Sequence, residues 1–247
     1  MIGLYYRQTC EISIDLIACN TVYFNIRGLA EPIRWMFQIA GVDFIDERIS
    51  LEEWKDEKER FSKQVGQLPI LYIDERIELT QVHSVMRYVA RQLGFNGKNE
   101  METARADEIC ELVYDLRLCA VAYKDSFTSK TPDIVRHTVF RDFRNEPSIA
   151  KKALMRKHLL ELHFPKYFNR FAKVLEESGG EFIAGDTMTY ADFVLANFLD
   201  VAEDNVNPDV LKDFPTLIDL KDRIFNIPEV QEFIYSTRKS GFYGSAG

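Results

Sequence analysis

The chain has 247 residues, 46% of them apolar and 28% charged, and a formal net charge of −8 at pH 7. That length supports one large domain or two small ones with a sizeable core, and the composition is that of a globular protein. The acidic balance speaks against nucleic acid or an anionic membrane as the main partner, because both are bound through basic patches.

No apolar run approaches the ~18 residues of a membrane span, and no Asn-x-Ser/Thr sequon occurs, so neither spanning nor N-glycosylation is expected. Met1 to Arg7 lacks the basic start of a secretory signal, and Glu11 and Asp15 interrupt what would be its apolar core, so the expected location is cytoplasmic. The cysteines at 10, 19, 110 and 119 form no C-x-x-C and read as small buried hydrophobes.

Residues 1–15 are mixed and aperiodic and read as an extension. Leu16 to Phe24 is a strand candidate, ended by Asn25 and Gly28. Pro32 suits a first helical turn; Ile33, Met36, Phe37 and Ala40 follow at helical spacing, and Gly41 stops the helix. Phe44 to Ile49 reads as a second strand, and the polar amphipathic stretch Leu51 to Phe61 leads to Gly66-Gln67-Leu68-Pro69, which enters a strand over Ile70 to Ile73. A proline cannot donate to a ladder and so belongs at the mouth of that strand. Read by itself, the Leu68–Pro69 bond is an ordinary trans junction; a cis bond would free the backbone of Leu68 to pair with something peptide-like. A short return strand around Ile77 to Leu79 and a helix over Gln81 to Leu93 complete the order β-α-β-(α)-β-β-α, which predicts a small mixed sheet.

After Gly94 no β-branched alternating run appears. From Glu100 the spacing of Met101, Ala104, Ile109, Leu112, Val113, Leu116 and Ala120 predicts a long helix with one apolar face. Further helices are expected around Ile134 to Arg144, Ser148 to Glu177, Tyr190 to Asp200, Phe214 to Phe225 and Val230 to Ser236. The predicted organisation is an extension (1–15), an α/β domain (16–94), an all-α domain (99–237) and a tail (238–247).

Met188-Thr189-Tyr190-Ala191-Asp192-Phe193 is a capping box with a hydrophobic staple, which is a folding signal rather than chemistry. Gly180 to Thr187 imitates a phosphate loop, but Asp186 replaces its lysine and would repel phosphate. His158 and His163, five apart, should leave one α-helical face, and no H-E-x-x-H occurs, so no metal site is expected. No G-x-G-x-x-G follows the first strand, so a nicotinamide enzyme is unsupported. Asp107, Glu111 and Asp115 form a like-charged ridge, read either as a solvated face or as one meeting a cation from a ligand or partner.

The run Val22-Tyr23-Phe24-Asn25-Ile26-Arg27-Gly28, then Ala30-Glu31-Pro32-Ile33-Arg34, Trp54, Gly66-Gln67-Leu68-Pro69, Gln81, Arg87-Tyr88 and Leu93 to Asn99 resembles a sigma-class glutathione transferase, from about residue 20 to about 237. The resemblance implies the glutathione transferase fold, a thioredoxin-like domain followed by the all-α domain, with a cis bond at Pro69. It also implies a homodimer that binds glutathione and joins it to hydrophobic electrophiles in detoxification. Carried over by position, Tyr23 activates the thiol, Trp54 and Lys58 hold the glycyl end, and the Gly66-Gln67-Leu68 loop pairs with the cysteinyl backbone. Gln81 and the backbone of Val82 meet the γ-glutamyl end, and Asp115 reaches its amino group across the dimer. Phe24, Leu29 and Arg117 are the expected lining of the electrophile pocket. Val82 stands where the family carries serine, and Leu29 where several sigma enzymes carry a second arginine. The resemblance also extends to glutathione-dependent prostaglandin D synthases and to the non-catalytic lens crystallins, which remain alternatives.

Overall fold

The computed structural model describes residues 19–50, 52–61, 66–118 and 146–239. The expected extension, the start of the first strand, Ala120, the helix over Ile134 to Arg144, and Cys10 and Cys119 lie outside the described residues. The chain forms two compact units, residues 1–96 with 223–247, and residues 97–222.

The first unit runs β1 (Cys19–Phe24), α1 (Glu31–Ala40), β2 (Ile45–Ile49), a short α2 (Glu53–Glu57), β3 (Ile70–Ile73), β4 (Ile77–Thr80) and α3 (Val82–Leu93). The four strands lie in the order β2-β1-β3-β4, with β1 parallel to β2 and the other pairs antiparallel. This is the mixed sheet that the element order predicts: α1 carries the chain back for a parallel pairing, while three residues between β3 and β4 allow only a hairpin. In that hairpin Asp74 and Glu75 take left-handed φ of 53° and 56°, and the N–H of Arg76 donates to the carbonyl of Ile73 at 3.1 Å. Pro32 occupies the first turn of α1, and Gly41 closes it at φ 66°. Val22, Ile33, Met36, Phe37, Ile70, Leu71, Val85 and Val89 are fully buried in this unit. Its last helix, α9 (Pro228–Lys239), packs on α1, and Trp35 meets the edge of Phe225 at 5.2 Å between ring centroids.

The second unit contains α4 (Glu100–Leu118), a long helical stretch made of α5 (Ile149–His158), a π turn (Leu159–His163) and α6 (Phe164–Glu177), then α7 (Tyr190–Asn205) and most of α8 (Pro215–Phe225). The apolar face predicted for α4 needs correction: Met101 is 73% exposed and Ala104 is exposed, while Ala106, Ile109, Cys110, Val113, Leu116 and Arg117 are buried. At about 3.6 residues per turn, Met101 and Ala104 fall a third to a half turn from that stripe. Among the described residues no helix is long and apolar enough to cross a membrane.

The π turn also changes the relation of the two histidines. The N–H of Phe164 reaches back to the carbonyl of Leu159, five residues earlier, so positions five apart come closer to one face than an α-helix would bring them. Burial first, and then the charges of His158 and Lys166, lower the pKa of His163.

The capping box closes around a buried carboxylate. Asp192 accepts from the N–H of Thr189 at 2.7 Å, the Thr189 hydroxyl at 2.9 Å and the N–H of Ile183 at 2.8 Å. Met188 and Phe193, the staple positions, are buried.

Candidate active site at the end of the first strand

β1 delivers Tyr23 opposite Arg48 and Phe24 opposite Ile49, and the chain then turns through 25–30 into α1. Tyr23 is 6% exposed. Its hydroxyl oxygen accepts the backbone N–H of Leu29 at 3.1 Å. A hydroxyl has two acceptor lone pairs and one proton, so this bond fixes the oxygen without using the proton. The approach depends on Gly28, at φ 51°: a Cβ there would stand 2.7 Å from the Tyr23 hydroxyl oxygen.

Aromatic rings continue the site along the unit. Phe24 stands edge-on to Tyr23 and to Trp54, each at 5.5 Å between centroids, and Trp54 stacks on Phe61 at 6.0 Å. Trp54, Leu68 and Tyr72 pack against the buried cluster Val22, Ile49, Phe61 and Ile70. Lys58 follows α2, and its stem runs past Gly66, where a Cβ would lie 3.2 Å from the lysine Cε. Gly66 is left-handed at φ 61°, and the Leu68–Pro69 bond is cis, as the resemblance implies and against the trans reading of the local sequence. Gln81, just before α3, takes φ 68°, a backbone conformation that side chains rarely adopt and that clusters at functional sites. Its side-chain amide donates to the Gln67 side chain at 3.2 Å, tying the proline loop to the start of α3, whose first residue is Val82.

Asp115 and Arg117 belong to α4 in the second unit. Asp115 is exposed. Arg117 is 7% exposed, and its guanidinium lies 5.2 Å from the centre of the Phe198 ring on α7. Of the acidic ridge, Asp107 accepts a hydrogen bond from the Tyr190 hydroxyl, while Glu111 and Asp115 face solvent.

The sequence reading carries Glu31 and Arg34 within the family run but gives no role to them, or to Asp46 and Arg48, which complete the charged cluster beneath the turn. Arg34 and Glu31 are fully buried on α1; the guanidinium bonds Glu31 at 3.1 Å and Asp46 at 2.9 Å, and Arg48 bonds Asp46 at 2.6 Å. Burial works against the charge on Arg34, and Glu31 and Asp46 more than offset it, leaving its pKa above the ordinary value. The helical spacing gives no warning of this burial: Glu31, Arg34 and Gln38 stand at i, i+3 and i+7 on one face of α1 and read as an ordinary solvated stripe, yet folding buries Glu31 and Arg34 completely. Cys19, the buried thiol on β1, is no competing nucleophile, because burial and then the charge of Asp74 push it up to about 11. Among the described residues no group of three or more His, Cys, Asp or Glu could hold a metal ion.

Comparison with known proteins gives three kinds of similarity. Residues 133–237 match the family described as glutathione S-transferase, C-terminal domain. Glutathione S-transferase 2 of Onchocerca volvulus is 34% identical over 218 residues, covering 85% of this chain and 89% of the relative. S-crystallin 4 of Enteroctopus dofleini is 29% identical, covering 89% of this chain and 97% of the relative. Among solved structures, prostaglandin synthase D of Nilaparvata lugens superposes with a TM-score of 0.72 at 26% identity, over 89% of this chain and 96% of that one.

Proposed function

The chain belongs to the glutathione transferase family, and on that premise we propose that Tyr23 activates the thiol of glutathione for attack on hydrophobic electrophiles. The observation that supports this reading is the Tyr23 hydroxyl, gripped by the Leu29 N–H at 3.1 Å at the end of β1 and in one unit with Trp54, Lys58, the cis-proline loop and Gln81.

A thiol with a pKa of ~8.5 is mostly protonated at neutral pH, and moving it to about 6.5 requires about 2.7 kcal/mol of preferential thiolate stabilisation. One phenol donating to sulfur contributes about 1.5 to 3 kcal/mol, and a nearby helix N-terminus about 0.3 to 1. Tyr23 with α1 behind it is therefore sufficient. The thiol proton leaves to solvent, the Tyr23 O–H donates to the thiolate, sulfur forms a bond to the electrophilic carbon, and with an aryl halide the halide departs. Trp54 and Lys58 hold the glycyl end, Gly66, Gln67 and Leu68 the cysteinyl backbone, and Gln81 and the Val82 N–H the γ-glutamyl end. Phe24 and Leu29 offer apolar surface to the electrophile. The reading includes a sigma-type homodimer in the cytoplasm, with Asp115 serving the partner's site.

Tyr23→Phe is expected to remove most turnover with a simple aryl halide while glutathione affinity stays within about threefold, since the phenol acts on the thiolate rather than on binding. Full activity in that variant refutes the assignment. A second reading, endoperoxide isomerisation in which glutathione is regenerated, is favoured by the likeness to the Nilaparvata lugens protein. Glutathione stoichiometry with prostaglandin H separates the two: consumption means conjugation, and product without consumption means isomerisation.

A further inference from the structure

We propose that Arg34 is a positioning residue for this site: it ties down the turn between β1 and α1 and thereby sets the Leu29 N–H on the Tyr23 hydroxyl. The inference rests on the reading of Tyr23 given above.

A buried ion pair is weak evidence of stability, since taking both charges out of water costs about as much as their attraction returns. An apolar side chain would fill the space beneath the turn at least as well. The bonds made by one nitrogen distinguish Arg34 from such a filler. Its Nη1 donates to the carbonyl of Ile26 at 2.9 Å and to that of Arg27 at 3.4 Å, two carbonyls of the turn that leads to Gly28 and Leu29. The same nitrogen bonds Glu31 on α1 at 3.1 Å, so its two protons serve three acceptors and the 3.4 Å contact to Arg27 is a shared bond; Nε bonds Asp46 on β2 at 2.9 Å. The fork is thus fixed from two rigid elements and holds the turn from below. Its central carbon also lies 5.8 Å from the centre of the Tyr23 ring, within cation–π range. Tyr23 is therefore held at both ends, at the ring by Arg34 directly and at the hydroxyl by the turn that Arg34 anchors.

The charged groups around the guanidinium are Glu31 on α1 and Asp46 and Arg48 on β2. Two carboxylates balance Arg34 and Arg48, so the cluster acts on Tyr23 by geometry more than by its field. Lysine in this place keeps the charge, but one ammonium on a flexible stem cannot serve Asp46, Glu31 and two carbonyls in a fixed plane.

The test is a double-mutant cycle between Arg34→Lys and Tyr23→Phe, read from the pH profile of kcat/KM with an aryl halide. In the otherwise native protein, Arg34→Lys should lower kcat/KM about tenfold at neutral pH and move the thiol limb of the profile up by about one pH unit. Under Tyr23→Phe, the same change should cost less than about twofold, because the group it positions is gone. An equal loss in both backgrounds means a general structural role and overturns the proposal, as does an unchanged profile in folded Arg34→Lys. Tyr23→Phe with full activity refutes the underlying reading instead and is visible in that single variant. If Arg34→Lys does not fold, Asp46→Asn is measured in the same two backgrounds, since Asp46 is 18% exposed and anchors Nε. An upward movement of the limb that vanishes under Tyr23→Phe supports the proposal, and no movement overturns it.

Discussion

Replacing Gly28 by alanine tests the approach of the turn to the Tyr23 hydroxyl. The backbone there has φ 51°, which costs an alanine about 1 to 2 kcal/mol. The added methyl would lie 2.7 Å from the Tyr23 hydroxyl oxygen, 2.8 Å from Cε1 and 3.1 Å from Cζ, all inside ordinary contact. Overpacking of this kind adds about 1 to 3 kcal/mol, so a total loss of about 2 to 5 kcal/mol is expected. A protein in the middle of the ordinary range of about 5 to 15 kcal/mol stays folded after that loss. To relieve the clash, either the ring swings away or the turn opens and withdraws the Leu29 N–H. Both misplace the hydroxyl, and losing one hydrogen bond to a thiolate, about 1.5 to 3 kcal/mol, lowers kcat/KM roughly ten- to hundredfold. The KM for glutathione should change little, because Trp54, Lys58 and Gln81 are untouched. Urea denaturation and steady-state kinetics at saturating glutathione read the two effects separately. A Gly28→Ala protein that loses the expected stability yet keeps kcat/KM within about twofold refutes the role given to Tyr23, and one with unchanged stability refutes the packing argument.

Three further outcomes are expected. Burial pushes the Asp192 carboxyl up to about 6 from 3.8, so the folded protein binds that proton more tightly than the unfolded chain; its contribution is complete below about pH 4 and lost as pH rises through 6. The stability of the native protein relative to Asp192→Asn should therefore fall by about 2 kcal/mol between pH 4 and 6.5 in urea titrations, and a flat difference contradicts it. Gly66→Ala, at φ 61° with its methyl 3.2 Å from Lys58 Cε, should raise the KM for glutathione several-fold and leave the saturated rate nearly unchanged, as steady-state kinetics would show. Val82→Ser restores a hydroxyl at the first residue of α3 and should tighten glutathione binding about ten- to hundredfold by calorimetry; no binding in either form would favour a non-catalytic role like that of the crystallins.

Features encoded within a few consecutive residues are legible in the amino-acid sequence alone. α1 (Glu31–Ala40) carries Pro32 in its first turn and stops at Gly41, and β3 spans Ile70–Ile73, bounded by Pro69 and the turn at Asp74, because each signal rests on the backbone limits of one residue. The capping box at Thr189 is legible for the same reason, since both partners lie within one helical turn. The family motif points to Tyr23, but only the folded chain brings the Leu29 N–H to its hydroxyl and Arg34 beneath the turn, through bonds that join α1 to β2. The buried stripe of α4 departs from the apolar spacing because Ala106 and Cys110, small residues with weak signals, are among those that folding covers. Tertiary packing likewise decides the π turn at Leu159–His163 and the cis bond at Pro69, neither of which any short-range pattern in the residues themselves encodes. Helix stops and turns are set by the dihedral freedom of single residues; which charges are buried, and which N–H meets which hydroxyl, depends on atoms brought together from separate elements.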